Sequence, residues 1–514
     1  MACPVLNRKN AVSLTLFGIS LLIMCVVLFS DFFYLKDLKR LDLQRVLLCT
    51  GLVVAMIFHA GFYLLRPKFI FVSGHLTWFF PFFFVLLGHY LYFDIYGFFP
   101  FEGLMFLLFF GGIALNGGLI CQAVGVVNAS KILVAAIVIS CGFYAALTII
   151  RYTFILSDGV SIKNLIPWGF VNIRLWSHVA TLVVPLFPLA VLVGPFRHQR
   201  IWRLIALFTA SVWWWIVIVS SAHGSMISVA IGAALAVLFF GKESFLWAKK
   251  FTNYLVGGFV LWLLLSWVVP EIFLDRAGEI PGDVISSTPV RLLMWEEAYA
   301  MSLVNFPFGM GGQAWLMHEP LTQPYIEGSV RPFGAPHNMY LLWAAEYGWI
   351  SVLALFLPFG YSIYRLSQVR SSMRSHGEKD NAIIVAVTAS MVAVIVHSGV
   401  SSVLLAAPGM LVAFMVFSLY WAIIASQDGL AFTNDNFKSN FGSYFRFNSA
   451  LRAIFAIVFF AAVWLGALFL KEVRDYHGAM QSNWECFPEE TKLGPIPRFW
   501  EHGYFPNPLN YKCD

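Results

Sequence analysis

The sequence predicts an all-α polytopic membrane protein: a bundle of about 12–13 transmembrane helices with a large outer loop that contains short helices. Three observations carry this. Hydrophobic residues make up 60% of the 514 positions and charged residues only 12%, where a soluble domain carries roughly a quarter charged residues. The mean hydropathy is +0.77. The apolar residues also gather into runs of the length that a hydrocarbon core about 30 Å thick demands, around 20 residues per helix.

Thirteen such runs can be drawn, near 11–30, 46–65, 69–91, 103–125, 131–150, 175–194, 201–221, 224–240, 252–270, 337–359, 382–402, 409–426 and 451–470. Basic residues in short loops orient them. With Arg8 and Lys9 on the cytoplasmic side, Arg66, Lys68, Lys131, Arg197, Arg200, Arg203, Lys242, Lys249, Lys250, Arg365, Arg370, Arg374 and Lys379 fall there too. The loop after the first run is the exception, because Lys36, Lys39, Arg40 and Arg45 lie outside, accompanied by Asp31, Asp37 and Asp42. No small-residue cleavage site follows the first run, so it reads as a retained anchor.

This orientation divides the chain into N-terminal helices (1–270), a large outer loop (271–336), C-terminal helices (337–470) and an outer tail (471–514). Segments 151–174, 271–336 and 471–514 face outward and are where chemistry can occur. Segment 427–449, rich in Asn, Phe, Ser and Asp, reads as a cytoplasmic connector. Neither a 20-to-50-residue repeat nor a low-complexity tract is visible.

The formal net charge of +6 follows from cytoplasmic anchoring, since anionic membrane lipid attracts such loops; it implies no nucleic acid partner. Of the seven cysteines, Cys25, Cys49, Cys121 and Cys141 lie in or at the ends of apolar runs and read as small hydrophobes. Cys486 and Cys513 lie in the outer tail, where an oxidising compartment allows a disulfide and equally allows two thiols. No Cys/His spacing suggests zinc, and no D-x-D motif in the outer segments offers a carboxylate pair to a divalent metal. Neither a metal nor a cofactor is expected.

Within the outer loop, Thr288 and Pro289 are helix-start signals, so a helix is predicted from 289 to about 303. Arg291 and Trp295 stand at i and i+4 on one face of it. The exit "NFPFGMGG" is a glycine-bearing turn in which Gly309, Gly311 and Gly312 let backbone amides approach a ligand. Arg291 has two readings at this point: a functional cation, or a surface charge paired with Glu296 or Glu297.

Other polar positions stay similarly open. Arg174 and His178, again at i and i+4, begin the sixth run; an arginine there either snorkels to headgroups or meets an anion. His223, between Ser221 and Ser225, sits at a tight hairpin. His59, His75, His89 and His397 lie inside runs, where polar side chains commonly bond to neighbours.

"GAPHNMYLLWAAEYG" puts His337 at the start of the tenth run, where a helix N-terminus disfavours imidazolium and leaves a ring able to accept a proton. Asn338 can hold or orient a ligand. Glu346, on a face roughly opposite at 100° per residue, is expected not to touch His337 but to pair with a cation from another helix. The aromatic tail segment "NWECFPEETKLGPIPRFWEHGYFPNPLNY" suits sugars, a docked protein, or simple packing over the bundle.

Taken together, "RLLMWEEAYAM", "NFPFGMGGQAW" and "PHNMYLLWAAEYGW" resemble the signature of the bacterial O-antigen ligase superfamily. Wzy-type polymerases and O-linked protein oligosaccharyltransferases also belong to that superfamily. The shared pattern is R-x-x-x-W, then P-x-G-x-G, then H-N-x-x-L with E-x-G downstream, covering Arg291 to Gly348. At "SSAHGS" this chain carries His223 where members often carry Ser-Arg-Gly.

The resemblance implies a GT-C-like glycosyltransferase bundle in the bacterial inner membrane, with its active site facing the periplasm. It further implies an undecaprenyl-diphosphate-linked glycan donor, inversion at the anomeric carbon and no nucleotide sugar. The acceptor is lipid A core, a growing glycan or a protein, with O-antigen ligation to lipid A core foremost. His337 would act as base, with Arg174 and Arg291 on the diphosphate. Asn338, Trp295, Gly311, Gly312, His223 and His178 would line the substrate. A transporter or flippase of lipid-linked sugars is the alternative of another class; the matched broken helices such proteins often show are not visible here.

Overall fold

The computed structural model describes residues 8–33, 40–65, 78–92, 102–159, 165–274, 288–318, 321–322, 335–375, 377–426, 456, 460, 463–475 and 477–478. Cys486, Cys513, His75, segment 427–449 and most of the aromatic tail lie outside these residues. Among the described residues there is no strand. The helices, in order, are α1 (Arg8–Phe29), α2 (Arg40–Leu65), α3 (Phe80–Tyr92), α4 (Glu102–Leu119), α5 (Val126–Ser157), α6 (Ile173–Val183), α7 (Leu189–Leu192) and α8 (Arg200–Val219). They continue as α9 (His223–Phe240), α10 (Phe245–Leu263), α11 (Val269–Leu274), α12 (Thr288–Val304), α13 (Ala314–Met317), α14 (Met339–Ser372), α15 (Glu378–Ser398) and α16 (Ala407–Ala425). A further helix covers 463–475.

Ten of the described segments are long and apolar enough to cross a membrane, and the protein is an all-α, multi-pass membrane protein. One of them, His223–Ile272, contains two of the predicted runs, separated at Gly241 by a φ of +59°. Two predicted runs are described only in part: 69–91 by the shorter α3, and 451–470 by the helix that continues to residue 475.

Burial grades inward. The membrane-length window of α16 is 94% buried and that of α1 only 33%, so α16 runs through the core while α1 shows lipid-facing side chains. Lipid tails are as apolar as leucine, so helices in a membrane associate through close packing of small residues rather than through hydrophobic exclusion. At Gly232 of α9 a Cβ would lie 2.5 Å from the Ala389 carbonyl oxygen of α15. The backbones of α9 and α15 therefore touch, and only glycine permits it. Cys49, Cys121 and Cys141 are buried thiols, and Cys25 is half-buried.

Two features shape the end of the bundle where α6 begins. The segment before α6 is strapped to α5: the Tyr144 hydroxyl donates to the Trp168 carbonyl at 2.8 Å, and Trp168 Nε1 donates to Thr148 Oγ1 at 2.9 Å. The rings of Tyr144 and Trp168 stack at 4.8 Å. This fixes where α6 begins. The predicted helix from 289 to about 303 is α12, within a residue at each end, and it packs directly on α14.

Candidate functional site

α14 is two helices that meet at a kink at Gly348 (φ 80°, ψ 162°). At such a break the carbonyls of Ala345 and Glu346 lose their usual partners four residues on. The turn after α12 replaces them: Met310 N–H donates to Ala345 O and Gly311 N–H to Glu346 O, both at 2.8 Å, while Ile350 N–H donates to Pro307 O at 3.3 Å. Gly309 (φ +77°) and Gly348 lie so close that a Cβ on Gly309 would be 2.5 Å from Gly348 N. Of the amides in this turn expected to approach a ligand, that of Gly311 is engaged by the broken helix. Gly312 follows it, half-buried.

The joint holds the first segment of α14 against α12, and His337 stands at the mouth of that segment. Asn338 is its cap: Oδ1 accepts from the amides of Tyr340 and Leu341, each at 3.1 Å. That oxygen is engaged with the helix. His337 takes φ +56°, a left-handed conformation in which histidine is enriched among non-glycine residues. Its Nε2 lies 2.7 Å from Nη1 of Arg174, in the first turn of α6 just after the cap Asn172.

A guanidinium can only donate, so Nε2 of His337 accepts and the ring proton resides on Nδ1. Burial, then the charges of Arg174 and Arg291, push the His337 pKa down to about 3. At neutral pH the ring is an uncharged base set between two cations.

Arg291 reaches this point from α12. Its Nε is buried and has no hydrogen-bond partner among the described residues, as is true of Trp295 Nε1 one turn further on. The reading of Arg291 as a surface charge paired with Glu296 or Glu297 is corrected. Glu297 is turned to the amides of Leu321 and Thr322, both at 2.8 Å, and to the Thr322 hydroxyl. Glu296 is exposed. Buried donors with no partner are the atoms a polar ligand would satisfy.

Beneath this layer is a second one. His178 is buried, not turned to the open side. Its Nε2 lies 2.8 Å from Ser401 Oγ, and its ring centroid is 5.4 Å from that of His397. His397 Nδ1 meets Thr181 Oγ1 at 2.8 Å, Thr181 meets Ser225 Oγ at 2.8 Å, and Ser225 donates to Ser177 O at 2.7 Å. The chain ties α6, α9 and α15 together under Arg174. His397, expected to bond to neighbours inside its run, does so here; Ser401 was not singled out, and the cluster "VHSGVSS" closing that run was the available signal.

His223 is not drawn in. It is exposed at the start of α9, its amide donates to Ser221 O at 2.7 Å, and no described side-chain contact joins it to Arg174, Arg291 or His337. Its neighbour Gly224 packs on His397, where a Cβ would lie 3.0 Å from Nε2. Glu346, expected to pair with a cation from another helix, accepts from the Trp315 amide at 3.1 Å.

Membrane-length helices thus make a multi-pass membrane protein in which Arg174 meets His337 at a helix mouth and the charge of Arg291 acts on the same ring. Residues 204–356 match the O-antigen ligase family model, which supports the resemblance to the O-antigen ligase superfamily. The match includes Arg291, Trp295 and His337 and leaves Arg174 and His397 outside it. Neither a curated protein nor a solved structure matches the chain.

Proposed function

We propose that the protein is an inverting, metal-independent glycosyltransferase. It moves a glycan from undecaprenyl diphosphate to an acceptor hydroxyl at the periplasmic face of the bacterial inner membrane, most directly in O-antigen ligation to lipid A core. The observation that carries this reading is the meeting of Arg174 and His337 at 2.7 Å, with the charge of Arg291 also acting on His337.

The acceptor oxygen attacks the anomeric carbon while its proton passes to Nε2 of His337. The bond from that carbon to the diphosphate oxygen breaks with its electron pair, and a single displacement inverts the configuration. General-base assistance of this kind is worth roughly 100- to 10,000-fold. Negative charge growing on the leaving diphosphate is met by Arg174 and Arg291, whose guanidinium groups match phosphate oxygens with paired hydrogen bonds. These charges take the role a divalent cation has elsewhere, so transfer should persist in chelator; strict loss of activity restored by magnesium would count against this part.

Lipid A core, another lipid-linked glycan and a protein Ser or Thr hydroxyl all satisfy the same chemistry. Cells carrying wild type and His337→Ala, matched for membrane level, separate them when glycan on lipid A core, on protein and on undecaprenyl diphosphate is quantified. The variant is expected to deplete one acceptor pool while lipid-linked glycan accumulates at the periplasmic side, and the depleted pool names the acceptor. Unchanged pools would remove His337 as the base and bring transport of lipid-linked sugar forward.

A further inference from the structure

The contact that brings the base and the cation together also disables the base. Arginine has no acceptor atom and stays protonated in proteins, so the hydrogen between Arg174 Nη1 and His337 Nε2 belongs to the guanidinium and occupies the Nε2 lone pair. In the neutral ring the other nitrogen bears the proton. An imidazole held this way has no lone pair to offer an acceptor hydroxyl.

Of the two partners, one is fixed and the other can move. His337 is set by its left-handed backbone and by the cap that follows it. Arg174 is exposed on the first turn of α6, with a long flexible stem. A diphosphate carries full negative charges and only acceptor oxygens, so it competes for a guanidinium far better than a neutral imidazole does.

We infer that Arg174 is a lock on His337 that the donor's diphosphate releases, drawing the guanidinium off Nε2 and exposing the lone pair to the acceptor. This rests on the proposed function and adds an order to it: donor first, acceptor second. Unlocking changes no covalent bond; one hydrogen bond to nitrogen is exchanged for hydrogen bonds to phosphate oxygen. The positioning role of Arg174 is thus separable from its charge on the leaving group.

Diethyl pyrocarbonate acylates an imidazole through its lone pair, which makes the lock readable. The full chain in lipid nanodiscs is treated at pH 7 with and without inorganic pyrophosphate, and the modification rate of each histidine is read by mass spectrometry. Calorimetry follows pyrophosphate binding separately, and exposed His223 serves as internal reference. Without pyrophosphate His337 is expected to react roughly tenfold more slowly than in Arg174→Ala, the size of effect that a charge-assisted hydrogen bond implies.

Saturating pyrophosphate is expected to accelerate His337 in wild type, the reverse of ordinary ligand protection, and to leave its rate in Arg174→Ala and the His223 rate unchanged. If pyrophosphate binds but His337 is slowed or unaffected, the lock is overturned while the anion site stands. If no pyrophosphate binds, the proposed diphosphate site fails and the lock with it. Should Arg174→Ala not fold, the wild-type pair of rates decides alone.

Discussion

His337 and Glu346 lie on the same first segment of α14 and have opposite fates. Glu346 is 0% exposed and accepts from the Trp315 amide, so its carboxylate holds α13 against α14. His337 is half-buried and meets a charged side chain from a distant part of the chain. A buried carboxylate left unsatisfied is costly, and backbone donors remove that cost by fixing a shape. His337 accepts from one cation and lies near a second, so its neutral ring is favoured and its protonated form disfavoured, an arrangement that sets its protonation state. Partners thus distinguish the two residues better than residue type or depth does.

Breaking the chemical side should give the largest effect. His337→Asn, which tolerates the same left-handed backbone, is expected to lower the transfer rate by roughly 100- to 10,000-fold with an unchanged melting profile in detergent. A variant that melts early would move His337 to the structural side. Arg291→Ala should cost about 100- to 1,000-fold in turnover, the scale of losing one donor to a developing oxyanion. Single-turnover kinetics with lipid-linked donor would show it; a change confined to donor affinity would make Arg291 a binding group only.

The structural side breaks differently. Gly348→Ala places a Cβ 2.1 Å from the Pro307 carbonyl oxygen at φ +80°, a strain of about 1–3 kcal/mol before any displacement of the joint. Glu346→Ala abandons the Trp315 amide, which costs about 1–3 kcal/mol. Both should lower the melting midpoint, and activity per folded molecule should fall far less for Glu346→Ala than for His337→Asn. Equal loss in both would erase the distinction between the two residues.

The smallest effect sharpens the comparison through pH. With its pKa pushed down to about 3, His337 stays unprotonated through the neutral range. The acid limb of kcat/KM, which reports the free enzyme, should lie well below the ordinary histidine value of about 6.5. Removing the Arg174 charge in Arg174→Gln raises the pKa, so that limb moves to higher pH. A limb already at 6.5 in wild type, and unmoved in the variant, would contradict the placement of the charges. The unfolded chain takes this proton near 6.5 and the folded chain only near 3, so the group's contribution to stability falls as pH drops through that window and is constant above it.

Much of this was legible in advance, for physical reasons. Run length and hydropathy gave the helices because a bilayer imposes them locally. Start signals at Thr288 and Pro289 found α12 because they act within one turn. The His337 motif was legible because its residues are close in sequence. What escaped depends on distant partners: the amide of Gly311 going to Glu346 O, the carboxylate of Glu297 turning to Leu321 and Thr322, and His178 dropping beneath the site onto Ser401. A break at Gly348 reads as an ordinary glycine until the carbonyls it releases are seen to be taken by another segment.

The second segment of α14 carries a consequence of its own. From Trp349 to Ser372 it rises roughly 36 Å at 1.5 Å per residue, and near its far end Arg365 donates to the carbonyls of Ile424 and Ser426 at the close of α16. The height of the imidazole is therefore gauged from the opposite side of the bundle, as on a ruler whose zero is an arginine clamp and whose graduations are helical turns. Inserting one residue in that ruler would turn everything above it by 100°, and the joint at Gly348 would have to absorb the error before the two arginines could find the ring.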